Sequence, residues 1–313
     1  MPGWNVRESA QTPRRVHAHS VARRDTYGAD VRGRMAGTAP PAATRGLSGR
    51  RTAAILLLTA AVAMLVLASG CATSHSRAEQ FGKTFYLDGA GNWGFGASEV
   101  PEGLMAAGYA GDVEIYIWTT SFMPLVDQLN FGAAKIRALA LADKIKRYRR
   151  AHPDTEINII ALSAGTGVAT WAIESLAEGV RIHNLILLGS SLSHDYDMSK
   201  ALQHMTGKVY VYYSPNDTVL QTVKLVGTID GKRGVDSAGA VGLKAPPGYE
   251  HRVVNVAWSR EWLRYGWTGA HTDCTSVQFV RHEIARHVVP EERQRLRSAA
   301  HSESDAAMAA EFQ

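Results

Sequence analysis

The chain has 313 residues, 45% hydrophobic and 20% charged, a composition typical of a globular protein. Its formal net charge of +5 is uneven, because residues 1–51 carry ten arginines against three acids, which leaves the other 262 residues near −2. The positive charge therefore belongs to a leader, and no aromatic-interleaved basic patch follows it, so the composition argues against a nucleic-acid partner.

An apolar segment follows this leader. Arg50 and Arg51 precede the uncharged residues 53–68, and a Ser-Gly pair separates that run from Cys71. A positive flank, a short apolar core and an exit of small residues predict a secretory signal. The ending LASGC at 67–71 resembles the bacterial lipobox, with Ala68 in place of leucine, and the resemblance implies a lipid on Cys71.

Two other interpretations of residues 53–68 remain, an uncleaved signal anchor and a buried core helix. The run is shorter than the roughly 20 apolar residues of a permanent membrane helix. Residues 1–34 are long and polar for a segment that precedes a signal, so Met35 is a second candidate start. With a lipid on Cys71, the only other cysteine, Cys274, has no disulfide partner and is expected to be a small buried residue.

Strand and helix patterns alternate from about residue 84. Continuous apolar runs such as 157–162 are typical of parallel strands buried on both faces. Because the connections are short and no repeat is present, we expect one α/β domain with a mostly parallel sheet and helices on both faces. The predicted strands are 85–87, 113–118, 157–162, 182–188, 209–213 and 253–256, and the predicted helices are 131–150, 168–177, 198–205 and 276–288.

The predicted organisation has five parts. It comprises a basic leader over 1–51 that is disordered or reflects a mis-assigned start, a signal or anchor over 52–71, a polar tether over 72–83, the α/β domain over 84–290 and a partly disordered tail over 291–313.

Ser163 lies at the junction between the predicted strand 157–162 and the next helix. A serine hydroxyl is a weak nucleophile that needs a base, and a sharp strand-to-helix turn makes it accessible to substrate. In Ala161-Leu162-Ser163-Ala164-Gly165, small residues stand two positions to either side of the serine, as such a turn requires. We predict that Ser163 is the nucleophile, and the alternative is a serine that only caps the helix.

An acid is expected on a later loop. Asp217 follows the strand 209–213 at a Pro-Asn-Asp turn and is the predicted acid. The alternative interpretation is a turn aspartate bonded to its own backbone. Asp195 and Asp197, after the preceding strand, are weaker candidates.

The base is expected last along the chain. His271 lies in a Gly-containing loop between the final strand and the closing helix, and it is the predicted base. His251 starts a strand, and surface positions on the closing helix account for His282 and His287.

Two backbone N–H groups are needed to hold an oxyanion. One would come from Ala164, and the other from the loop Gly89-Ala90-Gly91, where either Ala90 or Gly91 is the donor. That loop lacks the Gly-x-Gly-x-x-Gly spacing and a following Lys-Ser/Thr, so a nucleotide site is the weaker interpretation. His282-Glu283 misses the His-Glu-x-x-His spacing by one residue, and we predict no metal and no cofactor.

Five aromatic residues stand near these motifs in the sequence. They line an acyl or aromatic pocket or, equally, pack loops against the sheet. They are Trp93, Phe95, Trp258, Trp262 and Trp267.

The order of oxyanion loop, Ser163, Asp217 and His271 resembles that of the α/β-hydrolase superfamily, over about residues 84–290. Residues 189–197 and 213–217 are also similar to a group of uncharacterised bacterial hydrolases. The resemblance implies the α/β-hydrolase fold without the first strands of larger members and with a small or absent lid.

The activity that this resemblance implies is hydrolysis of a carboxylic ester or thioester through an acyl-enzyme. A carboxylesterase is preferred because no long insertion is available for a lid. A lipase and a catalytically silent binding or envelope-scaffold protein are the alternatives. The expected partners are a small-molecule or lipid ester and a membrane reached through the N-terminal lipid on Cys71 or a signal anchor, which would place the protein in the cell envelope, outside the cytoplasm.

Overall fold

The computed structural model describes residues 77–119, 121 and 123–290, so the leader, the signal segment with Cys71 and the tail from residue 291 lie outside the described residues. Six strands form one all-parallel sheet in the order β2-β1-β3-β4-β5-β6. They are β1 (Lys83–Leu87), β2 (Asp112–Ile115), β3 (Ile157–Leu162), β4 (Leu185–Leu188), β5 (Val209–Tyr213) and β6 (Val253–Ala257).

Eight α-helices connect or cover these strands in the described part of the chain. They are α1 (Glu99–Ala106), α2 (Pro124–Leu129), α3 (Phe131–Ala151), α4 (Gly165–Glu174), α5 (Ser199–Gln203), α6 (Thr218–Val226), α7 (Ala238–Val241) and α8 (Val277–His282). Short 3-10 helices span Arg77–Phe81, Glu250–Arg252, Arg260–Tyr265, Asp273–Thr275 and Ile284–His287. No helix within the described ranges is long and apolar enough to cross a bilayer.

Both faces of the sheet are buried because neighbouring residues of each strand point to opposite sides. Ile157 and Ile159 of β3 pack in one apolar core with residues of α3 and α4. Ile160 and Leu162 pack in a second core with residues of α1 and α8. This arrangement explains why β3 is apolar at every position except Asn158, and it confirms the predicted fold class, an α/β domain with a parallel sheet and helices on both faces.

The predicted elements differ from the observed ones mainly where helices are short. Helix α4 begins three residues before the predicted position, at Gly165, and the closing helix divides into α8 and the 3-10 helix Ile284–His287. The strand predicted from residue 182 begins at Leu185, because Ile182 makes only an isolated bridge to Met205. Helices α1, α2, α6 and α7 were not predicted.

Residues 77–83, which the sequence assigned to the tether, are folded onto the domain. Lys83 is the first residue of β1, and its buried ammonium lies 2.6 Å from Asp112 Oδ2 and 2.9 Å from Glu114 Oε2. Burial alone would lower the pKa of Lys83, but the hydrogen bonds and charges of these carboxylates outweigh it and raise the pKa above its usual value. Tyr148 at the end of α3 donates to the Glu79 carbonyl at 2.5 Å. The folded domain therefore starts before residue 84.

Candidate active site

Ser163 occupies a strained turn between β3 and α4. Its φ is +52°, and Asn92 is the only other non-glycine residue with a positive φ in the described chain. This left-handed conformation costs about 1–3 kcal/mol and persists only where its surroundings enforce it. Here the Ser163 amide donates to the Leu188 carbonyl at 2.9 Å, and the Ser163 carbonyl accepts from the amides of Thr166 at 3.1 Å and Ser191 at 3.3 Å.

Small residues around this turn allow close approach of the backbone. A Cβ on Gly165 would lie 2.4 Å from the Asp88 carbonyl oxygen, so only glycine lets α4 start against the end of β1. A Cβ on Gly89 would lie 3.2 Å from Ser163 Cβ. The Gly-rich loop after β1 and the serine turn after β3 are therefore adjacent, as the sequence predicted from their order.

The predicted acid and base are in contact. His271 Nδ1 lies 2.6 Å from Asp217 Oδ2, across 54 residues of sequence. The other oxygen of Asp217, Oδ1, accepts from the Leu220 amide at 3.0 Å and caps α6. Asp217 therefore binds local backbone, as in the turn interpretation, and also contacts the predicted base. Because a carboxylate only accepts, Nδ1 of His271 is the donor in this contact, and Nε2 is the ring nitrogen left for another partner.

Gly189, at the end of β4, makes room for this pair. A Cβ at this position would lie 3.2 Å from His271 Nδ1 and 3.5 Å from Asp217 Oδ2, and φ of Gly189 is +46°. Two residues later, Ser191 binds the Ser163 carbonyl. Residues 189–191 thus contact both the histidine pair and the serine turn. Within the described chain, neither the Ser163 hydroxyl nor His271 Nε2 has a hydrogen-bond partner.

The weaker candidates lie elsewhere. Asp195 is ion-paired with Lys232 at 2.8 Å, and Asp197 Oδ1 accepts from the Ser199 amide at the start of α5. His282 is exposed, as expected, but the expectation of a surface position is wrong for His287. The His287 ring stacks on Tyr210 at 3.6 Å because the closing helix turns this residue inward, where Nε2 lies 2.8 Å from the Tyr212 hydroxyl.

The candidate oxyanion donors are distinguished by their hydrogen bonds. The Gly91 amide donates to Asp127 Oδ2 at 3.0 Å, so it is already committed. The amides of Ala90 and Ala164 have no protein acceptor among the residues described. A buried or half-buried N–H group without a partner is rare in folded proteins. The geometry therefore favours Ala90 over Gly91 as the second donor.

Two buried carboxylates that the sequence did not single out organise this loop. Asp88 accepts from the amides of Gly89 and Gly94, each at 2.7 Å. Burial raises the pKa of Asp88, while these amide hydrogen bonds oppose the rise. Asp127, on α2, holds Gly91. Asp88 carried a signal, since it ends an apolar strand directly before a Gly-rich turn. Nothing in the sequence around Asp127 indicates its role, because its partner, Gly91, is 36 residues away.

The aromatic residues divide into two groups. Trp267 is buried with its ring 4.8 Å from Phe279, and Trp262 lies edge-on to Phe279 at 5.5 Å. Trp258 donates to the Trp267 carbonyl at 3.0 Å. The packing interpretation is therefore correct for these three residues. Trp93 and Phe95 are exposed on the Gly-rich loop, with ring centroids 6.2 Å apart.

Cys274 is a free, buried cysteine, which confirms the prediction of a small buried residue. Its thiol donates to the His271 carbonyl at 3.4 Å, and burial raises its pKa well above the usual value. A thiol held in this protonated form is a poor nucleophile. No cluster of His, Cys, Asp and Glu that could hold a metal ion occurs within the described ranges.

Several solved structures resemble this chain. A cutinase-like protein from Cryptococcus sp. is 14% identical, with 71% of this chain and 98% of that chain covered and a TM-score of 0.40. Dienelactone hydrolase from Anabaena variabilis ATCC 29413 is 14% identical, with 66% of this chain and 85% of that chain covered and a TM-score of 0.39. A carboxylesterase from Mesorhizobium loti is 11% identical, with 65% of this chain and 88% of that chain covered and a TM-score of 0.36.

No family model and no curated protein matches the sequence. At 11 to 14% identity, the likeness to these structures says nothing about the reaction or the substrate. The function is therefore inferred from the geometry of this chain.

Proposed function

We propose that this protein is a serine hydrolase that cleaves carboxylic esters or thioesters through an acyl-enzyme on Ser163. The observation that carries the proposal is the hydrogen-bonded pair of His271 and Asp217, at the same edge of the sheet as the strained Ser163 turn. Gly89 and residues 189–191 bring these parts together. A helix cap alone would require neither the histidine nor the positive φ.

The proposed reaction has two balanced halves. His271 Nε2 takes the hydroxyl proton as Ser163 Oγ forms a bond to the carbonyl carbon, and the amides of Ala164 and Ala90 hold the resulting oxyanion. Asp217 accepts the hydrogen bond from Nδ1 and stabilises the imidazolium. The carbonyl re-forms as the bond to the leaving oxygen or sulfur breaks, and His271 protonates that group. Water then repeats the sequence and releases the acid.

A carboxylesterase or thioesterase is preferred over a lipase with a large lid. The connection between β4 and α5 consists only of residues 189–198, and residues 189–191 of it contact the Ser163 turn and the pair of His271 and Asp217. This leaves no independent segment there to cover the site.

The test is hydrolysis of p-nitrophenyl butyrate by the full-length protein in lipid nanodiscs. We expect Ser163→Ala to lose at least 1,000-fold in kcat. Ser175→Ala removes the serine at the C-cap of α4, at the opposite end of this helix from Ser163, and should retain activity. A fluorophosphonate should phosphonylate Ser163 with release of fluoride in the wild type and not in Ser163→Ala. A folded wild type with no turnover and no label would support the silent binding or scaffold protein instead.

We further propose that Cys71 carries a lipid that anchors the protein to a membrane of the cell envelope, outside the cytoplasm. Support comes from the sequence alone: the Arg50-Arg51 flank, the apolar run 53–68 and the LASGC ending. Metabolic labelling with an alkyne fatty acid should mark the wild type and Cys274→Ala, but not Cys71→Ala. Labelling of Cys71→Ala at the wild-type level would contradict the anchor.

A further inference from the structure

A group of apolar side chains is exposed on the loops after β1 and β2 and on α2. Exposed apolar residues are normal singly, but a cluster of them marks a surface that contacts a ligand or partner. We call this cluster the apolar rim: Trp93 (61% exposed), Phe95 (43%), Ile117 (62%), Met123 (62%), Leu125 (56%), Val126 (43%) and Leu129 (37%).

The apolar rim is continuous with the candidate active site. Asp127, within the helix that carries Leu125, Val126 and Leu129, holds the Gly91 amide. A Cβ on Gly91 would lie 3.0 Å from Pro124 Cγ and 3.0 Å from Trp93 Nε1. The Gly-rich loop that approaches Ser163 is thus packed directly against the rim.

The rim lies in an uncharged stretch of the chain. Residues 89–98 contain no charged side chain, and the only charged residue within 115–134 is Asp127, which is buried. Because the exposed side chains of these two segments carry no ionic group, the segments favour hydrocarbon over a charged ligand.

The sheet order assigns the two halves of an ester to opposite sides of Ser163. The loop with His271 and the Asp217 turn follow β6 and β5, on one side of β3, whereas the rim follows β1 and β2, on the other. The leaving group must be within reach of His271, which protonates it, so the other side of Ser163, where the rim follows β1 and β2, is available to the acyl group.

We propose that the apolar rim binds the hydrocarbon chain of the acyl group, so the preferred substrates are esters or thioesters of fatty acids with about six or more carbons. This inference rests on the proposed function of Ser163, His271 and Asp217. Each methylene buried against the rim strengthens binding about fourfold.

The first test compares kcat/KM for p-nitrophenyl acetate and octanoate, using full-length protein in nanodiscs with empty discs subtracted. The ratio of kcat/KM for octanoate to kcat/KM for acetate should exceed about 10 in the wild type, and it should be at least about fivefold lower in Leu125→Gln. Leu139→Gln changes an equally exposed leucine two turns into α3 and should keep the wild-type ratio. Equal ratios in all three proteins would overturn the proposal.

The second test measures binding without catalysis. Ser163→Ala should bind decanoate in calorimetric titration, and addition of Leu125→Gln should weaken that binding at least about fivefold, whereas Leu139→Gln should not. If the wild type hydrolyses no ester but decanoate binding depends on Leu125, the proposed function fails while the rim is supported as an acyl-binding surface. If activity depends on Ser163 but decanoate does not bind, the rim proposal alone fails.

Two other occupants would be recognised in the same preparation. If the rim were inserted in the bilayer, brominated lipid would quench the fluorescence of Trp93, which is the part of the emission that Trp93→Phe removes. Mass photometry would show two copies per particle in the wild type and one in Leu125→Gln if the rim joined two protein chains. Either result would overturn the proposal if the ratio of kcat/KM for octanoate to that for acetate were the same in the wild type and in Leu125→Gln.

Discussion

The Gly91 amide donates to the buried carboxylate of Asp127 at 3.0 Å and so joins the loop after β1 to α2. This hydrogen bond occupies Gly91 and leaves the neighbouring Ala90 amide without an acceptor in the described structure. Helix α2 also carries Gln128, which donates to the Gly227 carbonyl and accepts from the Ser191 hydroxyl. One short helix therefore positions backbone on both sides of Ser163.

Substitution of Asp127 should affect turnover more than substrate binding. In Asp127→Leu the loop loses its attachment, and we expect kcat to fall about 100-fold because a shift of about 1 Å misplaces the Ala90 amide. Asp127→Asn retains an acceptor oxygen for Gly91 and should recover most of this loss. Steady-state kinetics on a p-nitrophenyl ester would measure both variants. Equal losses in the two would show that the hydrogen bond to Gly91 is not the cause.

Asp217→Asn should separate the two roles of this residue. Asparagine caps helices as well as aspartate does, so the unfolding free energy should change by less than about 1 kcal/mol. It cannot hold the imidazolium of His271, and we expect kcat to fall about 1,000- to 10,000-fold. Asp197→Asn makes the same change in a side chain that accepts from the first amide of α5, and it should keep full activity. An active Asp217→Asn enzyme would remove Asp217 from the mechanism.

Gly189→Ala should displace His271. The added methyl group would approach Nδ1 to 3.2 Å at a backbone φ of +46°, and we expect kcat to fall about 100-fold through misplacement of the imidazole. Gly179→Ala is the matched control, because φ is +79° there but no atom lies within 4 Å of the new Cβ. That variant should lose about 1 kcal/mol of stability and no activity. Similar kinetics for the two would contradict the contact.

His287 should make stability depend on pH. Burial, with the nearby charges of Arg286 and Lys208, lowers its pKa to about 3. The unfolded chain therefore binds this proton near pH 6.5 while the folded chain does not, so stability is complete above pH 6.5 and is lost as the pH falls toward 3. The loss is about 1.4 kcal/mol per pH unit. Urea unfolding at pH 7.5, 5.5 and 4.5 should show a shallower dependence in His287→Phe, and parallel curves would contradict it.

Lys83 and Lys144 offer a comparison of buried and exposed ion pairs. Removal of the buried Lys83 ammonium in Lys83→Met leaves Asp112 and Glu114 without its charge and should cost about 3–5 kcal/mol of unfolding free energy. Lys144 pairs with Glu114 at 2.5 Å, but its side chain is 42% exposed, so Lys144→Met should cost less than about 1 kcal/mol. Urea denaturation measures both, and equal costs would mean that Lys83 is not desolvated in solution.

The sheet could be predicted because burial on both faces leaves a continuous apolar run in the sequence. The strand 157–162 was located to the residue, and Asp217 and His271 followed from their positions after later strands. Helix α2 could not be predicted, since six residues contain too few turns to show a period and its apolar residues are exposed rather than buried.

The contacts that position the site residues could not be predicted from the sequence for a different reason. Asp127 and Gly91 meet only after the chain has folded, and nothing near either residue in the sequence specifies the other. Gly189 is one of 29 glycines, and its role appears only when His271 and Asp217 lie beside it. Residues that react leave a local pattern in the sequence, whereas residues that position them often do not.

The ion pairs of Lys83 with Asp112 and Glu114 stabilise the chain at the amino ends of β1 and β2, where residues 77–83 join the sheet. Tyr148, near the end of α3, binds the same segment through the Glu79 carbonyl, at the opposite end of this helix from α2. Substitutions in residues 77–83 can therefore weaken the fold without touching the loops around Ser163.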